Sequence, residues 1–418
     1  MENMQIRKGY KFRLKLKADE AHKLRRFAGC CRFVWNKALA VQDELFREEN
    51  TKLLTRTELI NRLPEWKREH LFLADAQAQT LQQTLKDLDL AYQWFFRRLK
   101  KIRTGDYSEG SDPGYPRFKK KYLHDSFRFP QGFKIRDRHI FLPKLGWFRF
   151  YKSREIEGAP KNVTVTRDGP NWYISVQVER EIPDPVPARE PSAGMDLGVS
   201  RLFTLSDGSY QESLDAFRGL QDKLAREQQK LSRKVRFSSN WRKQKTRVNR
   251  VHRRIRDSRR DFLHKTSTAL ARSYAVLYAE DLSVRAMSAS AKGTVDNPGH
   301  NVRAKAGLNK AVLDQGWSEL LRQLDYKLSW RGGELVRVSP RHTSRACSRC
   351  GFVSEKNRRS QSRFECDNCG LEINADQNAA INIATLGQRG CNACGDEGLP
   401  SSTKQEPPGN GDRVPAPA

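Results

Sequence analysis

Cys347, Cys350, Cys366 and Cys369 fall in the pattern C-x2-C-x15-C-x2-C, and the stretch NADQNAAINI with Asp376 follows directly behind. Two cysteine pairs at this spacing make two tight knuckles, a framework for a closed tetrahedral zinc site with no open catalytic position. Gly351 and Gly370 follow the second cysteine of each pair and permit the turn that a knuckle needs. Two other acids stand out. Asp196 interrupts the apolar run SAGMDLGV, and Glu280 ends the apolar run YAVLYAE. A carboxylate within a buried strand is costly unless neutralised, and a divalent cation neutralises it. Taken singly, each acid has a plain reading: Asp196 in a turn, Glu280 at a solvated strand end, Asp376 as a helix cap. Together, three carboxylates on two strands and one helix are the hard-oxygen ligands of a paired Mg2+ site for phosphodiester hydrolysis. In such a site one ion activates water and the other stabilises the leaving oxygen. Spacing alone does not establish that the three meet.

The chain around these residues is basic. Its 418 residues carry 78 Lys and Arg against 49 Asp and Glu, a net charge of +29, and that imbalance points to a polyanionic partner, nucleic acid. A mean hydropathy of −0.78 argues against a membrane protein, and no apolar run approaches the length of a membrane-spanning helix. MENMQIRKGYKF has no apolar signal segment, so a cytoplasmic protein is the expectation. Cysteines clustered in close pairs agree with that compartment. Cys30 and Cys31 sit on a helical pattern as ordinary buried thiols, whereas Cys391 and Cys394 read either as a weak second metal site or as an incidental pair.

Four regions can position the acids. YKFRLKL alternates as a strand with a cationic face. Helical periodicity then holds from Asp19 to about Lys101, broken around RLPEWKREH, and strands follow in SFRF, FKIRDRHIFLP, GWFRFYK and NVTVTRDGPNWYISVQVER. Residues 1–182 thus read as a small β-barrel interrupted by a helical insertion, closed by a proline-rich linker at 183–191. From 192 to 385 the pattern is α/β: a strand with Asp196, a second strand, a helical stretch at about 214–275, and the strand ending at Glu280. The middle of that helical stretch is dense in Arg and Lys on more than one face, as a helix lying on a phosphate backbone or in water would be. Residues 386–418 read as a disordered tail.

GMDLGV, YAEDLS, SPRHTSRACSRCG and FECDNCGLEINADQNAAINI resemble the three acidic motifs and the zinc ribbon of the TnpB family, transposon-encoded RNA-guided DNA nucleases with a RuvC-type core. AKAGLNKAVLDQGWSELLRQLDYKLSWRGGELVRV and GYPRFKKKY resemble the same family, so that the likeness covers most of residues 190–385 and pieces of the first half. The resemblance implies an RNase H-like (RuvC) nuclease domain with a helical insertion and a zinc ribbon at about 345–371. Ahead of it would lie an N-terminal wedge β-barrel with a helical recognition insertion at about 19–101. It implies a guide RNA from the transposon end, double-stranded target DNA cut beside a short transposon-adjacent motif, Asp196, Glu280 and Asp376 as Mg2+ ligands, and Cys347, Cys350, Cys366 and Cys369 as Zn2+ ligands. Nuclease-inactive RNA-guided regulators and strand-transferring transposases are the alternatives.

Several assignments go with this reading. Asn378 either faces the acidic site or bonds the helix start. Arg341 and the pair Thr343-Ser344 are candidates to hold a scissile phosphate. Gln79 and Gln82 share a helical face and are candidates to read adenine in a major groove, or else form a solvated polar face.

Overall fold

The computed structural model describes residues 3–47, 52–105, 112–121, 125–294 and 297–393. The chain divides into two compact units, one from Gln5 to Ile182 and the other beginning at Pro183.

The amino-terminal unit opens with β1 (Asn3–Lys15), whose alternation buries Tyr10, Phe12 and Leu14 and exposes Lys11, Arg13 and Lys15. Four helices interrupt the sheet before its second strand: α1 (Ala18–Arg47), α2 (Arg56–Asn61), α3 (Leu63–Glu69) and α4 (Ala78–Arg103). RLPEWKREH, expected as a break, contains α3 instead, because Pro64 lies in the first turn, where a missing N–H costs nothing. Then come β2 (Ser126–Phe129), β3 (Lys134–Arg136), β4 (His139–Leu142), β5 (Gly146–Phe150), β6 (Ala159–Asp168) and β7 (Asn171–Pro183). The sheet order is β2-β6-β7-β1-β5-β4-β3. One core joins its apolar face to α1 and α4, with Phe27 packed on Phe127 and Phe129 at ring distances of 4.7 and 5.4 Å. Cys30 and Cys31 are buried in α1, and burial pushes their thiols up to about 11 and about 12, so both stay protonated and inert.

The second unit is built on β8 (Ser192–Asp196), β9 (Arg201–Leu205), β10 (Tyr210–Glu212), β11 (Val276–Glu280) and β12 (Glu334–Val338). Their order is β10-β9-β8-β11-β12, with β8, β9 and β10 antiparallel and β11 parallel to both β8 and β12. Between β10 and β11 stand α5 (Gln221–Ser232) and α6 (Ser239–Ser273). The expected single helical stretch is therefore a pair, split by a turn at 233–238 and zipped along Leu224, Val248, Val251 and Ile255. Short α7 (Val284–Met287), α8 (Val302–Gln315) and α9 (Trp317–Ser329) lead to β12.

Alternation along β11 sorts the two faces of this sheet. Leu277 and Ala279 join the core with α6 and α9, while Val276 and Tyr278 pack with Ile383. That residue belongs to α10 (Ala375–Ala393), which follows the ribbon strands β13 (Arg363–Glu365) and β14 (Glu372–Asn374). The helix runs past residue 385, where the tail was expected to begin, and Gly387 lets it pack on the Tyr278 ring: a Cβ there would lie 1.9 Å from it. Cys394 and the rest of the expected tail lie outside the described residues.

Candidate metal centres and nuclease site

Asp196 is the last residue of β8 and Glu280 the last of the neighbouring parallel strand β11. Parallel strands deliver their carboxyl ends to the same edge, so the two acids leave the sheet side by side. Asp376 stands in the first turn of α10. It does not cap that helix: Asn374 Oδ1 accepts from the backbone N–H groups of Asp376 and Gln377 at 3.0 and 3.2 Å. The Asp376 carboxylate is thereby left free to point elsewhere. Helix α10 reaches the strand edge because Gly194 lets it lie directly on β8; a Cβ at that position would sit 2.0 Å from the Ala380 carbonyl oxygen.

Asp196, Glu280 and Asp376 line one cavity of about 290 Å3, together with Arg201, Pro340, Thr343, Ser344, Arg358 and Gln361. Burial pushes Asp196 up to about 7, with the Glu280 and Asp376 charges adding to the effect and Arg358 opposing it. Burial also raises Glu280, against a hydrogen bond from the Thr343 hydroxyl to Oε1 at 2.5 Å that favours its charged form. The Arg358 guanidinium reaches Asp376 Oδ1 at 3.2 Å, and Gln361 donates to the Ser200 hydroxyl at 3.0 Å. A loop of the ribbon thus borders the acids.

The four cysteine sulfurs all lie within 4.8 Å of one another, with Cys347–Cys369 and Cys350–Cys366 at 3.6 Å. Tetrahedral zinc with Zn–S of about 2.3 Å requires sulfurs about 3.8 Å apart, so the set fits the ion. Both knuckles repeat one hydrogen-bond pattern. Gly351 N–H bonds Cys347 O and Gly370 N–H bonds Cys366 O, with φ of 75° and 68° at the two glycines. The carboxylates form no cluster this compact; they ring a cavity instead. Two ions about 3.5–4 Å apart need that wider frame.

The other candidates fall elsewhere. Asn378 does neither task expected of it: fully buried, it donates to Ala346 O at 2.8 Å and accepts from Ser348 N–H at 3.0 Å, bracing the first knuckle against α10. Asn382 adds bonds to the Thr343 and Ala346 carbonyls. Thr343 is buried and spends its hydroxyl on Glu280, whereas Ser344 lines the cavity. Arg341 is exposed, with Nε 3.2 Å from His342 Nε2, and is not part of the lining. Gln79 and Gln82 are half-buried on α4, and Gln79 Oε1 accepts from Gln77. Arg358 was missed, because nothing in KNRRS marks which arginine turns inward.

Comparison with known proteins finds three family matches along the chain. Residues 173–291 match the OrfB family of IS605, described as "Probable transposase", residues 317–383 match the TNB domain of Cas12f1-like proteins, and residues 4–51 match a domain of the OrfB family described as helix-turn-helix. In that last segment the described residues form β1 and α1. Over 405 residues, 95% of this chain and 96% of the relative, it is 46% identical to the "Putative RNA-guided DNA endonuclease InsQ" of Escherichia coli (strain K12). The chain belongs to the TnpB family. Another TnpB-family relative, a "Putative RNA-guided DNA endonuclease" of Streptomyces pristinaespiralis, is 33% identical over 96% of this chain and 97% of its own length. The structure of a Cas12f1–sgRNA–target DNA complex superposes with a TM-score of 0.51 at 13% identity, covering 91% of this chain and 99% of that one, a likeness of fold alone.

Proposed function

We propose that this TnpB-family chain is an RNA-guided DNA endonuclease that hydrolyses phosphodiester bonds with divalent cations held by Asp196, Glu280 and Asp376. The observation that carries the reading is the convergence of those three acids on one cavity. The donor set fits hard dications: it is all carboxylate, and the repulsion that helps raise Asp196 is what a bound dication relieves. When bound, such ions activate water and stabilise the leaving oxygen.

The chain's own residues prepare that chemistry. Thr343 fixes the Glu280 carboxylate, Asn374 keeps Asp376 out of capping duty, and Gly194 sets how near α10 comes to β8. Arg358, bordering the acids, is placed to hold a phosphate oxygen, the role first assigned to Arg341. The strand order β10-β9-β8-β11-β12, antiparallel in its first three members and parallel in the rest, supports an RNase H-like (RuvC) reading of residues 192–385. A sheet that resumes after α1–α4 supports a wedge barrel with a recognition insertion in residues 1–182.

The partners follow from charge and kinship: a guide RNA and double-stranded target DNA, bound by a chain of net charge +29. The deciding experiment purifies the protein with its copurifying RNA, sequences that RNA, and offers a DNA duplex matched to it in Mg2+. Cleavage that disappears in Asp196→Ala supports the proposal. RNA-directed occupancy without product would make the protein a regulator, and joined strands a transposase.

A further inference from the structure

Gln244 on α6 donates to the Glu227 backbone carbonyl on α5, which closes the two helices into a hairpin whose tip is the turn at 233–238. Between Gln221 and Asp261 this hairpin holds sixteen Lys and Arg against four acids. At its tip the chemistry changes. Val235 is 80% exposed and Phe237 is 64% exposed. Phe237 also has φ of 68°, the left-handed region that a bulky aromatic residue seldom adopts. Its ring lies 5.4 Å from Trp241, whose own face carries Lys245 at 4.7 Å, and Arg236 sits 5.3 Å from the Phe237 ring.

A strained backbone that keeps a large apolar ring mostly in water contributes little to folding, so an outlier of this kind points to function. The surrounding cations disfavour an apolar protein partner and favour a polyanion that also has flat faces to stack. We infer that Phe237, backed by Trp241, is a stacking platform for an unpaired base of the bound RNA. RNA is the fitting source, because its loops and ends expose unstacked bases, while duplex DNA keeps its bases within the helix. The flanking Arg236 and Lys245 then meet the adjoining phosphates.

This inference rests on the RNA-guided reading and fails separately from it. The test rebinds the labelled copurifying RNA to RNA-stripped protein, comparing wild type with Phe237→Gly, Phe237→Ala and Phe237→Trp. Glycine removes the ring and also relaxes the left-handed turn, so the fold is kept, with an unchanged or higher melting temperature. The expected result is a Kd raised about 5- to 100-fold for Gly and Ala and restored by Trp. The salt dependence should keep its slope, since no charge is removed. Benzoylphenylalanine at position 237 should crosslink to RNA in the assembled complex. Wild-type binding with Gly and Ala within twofold overturns the platform alone, as does a defect confined to the later DNA-binding step. A wild-type protein that binds no RNA overturns both readings.

Discussion

The cysteine site and the carboxylate site meet in sequence only where Asp376 follows Cys369, and they are built on opposite principles. The four sulfurs are drawn within 4.8 Å of one another by two matching knuckles, and nothing in that arrangement leaves a ligand position open. The three acids instead stand around a cavity, and Asp196 is held up to about 7 by burial and by its neighbours' charge. One set of side chains is packed together by the local fold; the other holds a repulsion that a bound cation would release. Asn378 and Asn382 link them, since the helix that carries Asp376 also braces the first knuckle. The cysteine framework therefore does more than gather four sulfurs: it fixes the start of α10 and presents Arg358 to the acids.

Several measurements would break or sharpen this contrast. The largest effect belongs to the acids. Asp376→Ala should lower Mg2+-dependent cleavage about a thousandfold or more while leaving RNA binding intact, and comparable cleavage would dissolve the distinction between the sites. Cys366→Ser, or removal of zinc by a chelator, should melt the ribbon and lower the melting temperature, because structural zinc contributes apparent binding energy of about 10–16 kcal/mol to folding; circular dichroism and bound-zinc content give the readout. Gly194→Ala should force α10 off β8, costing about 1–3 kcal/mol in stability and cleavage on the order of a hundredfold, with zinc content unchanged.

Metal-free stability offers a smaller effect. The folded chain holds the Asp196 proton up to about 7, whereas an ordinary Asp releases it near 3.8. The folded state thus binds more protons across that window, and this group's contribution to stability falls as pH climbs through it. Asp196→Asn should raise the melting temperature of the metal-free protein at pH 8 and flatten that dependence; an unchanged or lower value would deny the stored repulsion. The smallest effect is on ion affinity: Arg358→Gln removes a competing cation from Asp376 and should tighten Mn2+ binding by about two- to fivefold in a titration, although losing its phosphate contact should slow cleavage.

What could be read from the sequence follows from how local each signal is. The cysteine framework is written in spacing and neighbouring glycines, so it needs no tertiary knowledge. Asp196 showed as an acid within an apolar run and Glu280 as an acid at the end of one, because burial of charge leaves a mark on composition. Asp376 as a cap was a fair local reading that Asn374 displaced. The arginine facing the acids could not be read, because Arg358 meets Asp376 only after β13 and β14 fold back on one another. Thr343 likewise looked like a phosphate ligand until the strand ending at Glu280 came within reach of its hydroxyl. Proline at 64 suggested a break and instead started α3, since sequence does not reveal at which turn of a helix a proline falls.

The central claim, that Asp196, Glu280 and Asp376 form one divalent-cation site separate from the zinc ribbon, is tested most directly by Mn2+ titration followed by electron paramagnetic resonance. Wild type is compared with Asp196→Asn/Glu280→Gln/Asp376→Asn, and bound zinc is counted in both. The account predicts Mn2+ binding by wild type, its loss in the triple variant, and the same zinc content in each. Equal Mn2+ binding by the two proteins would contradict it.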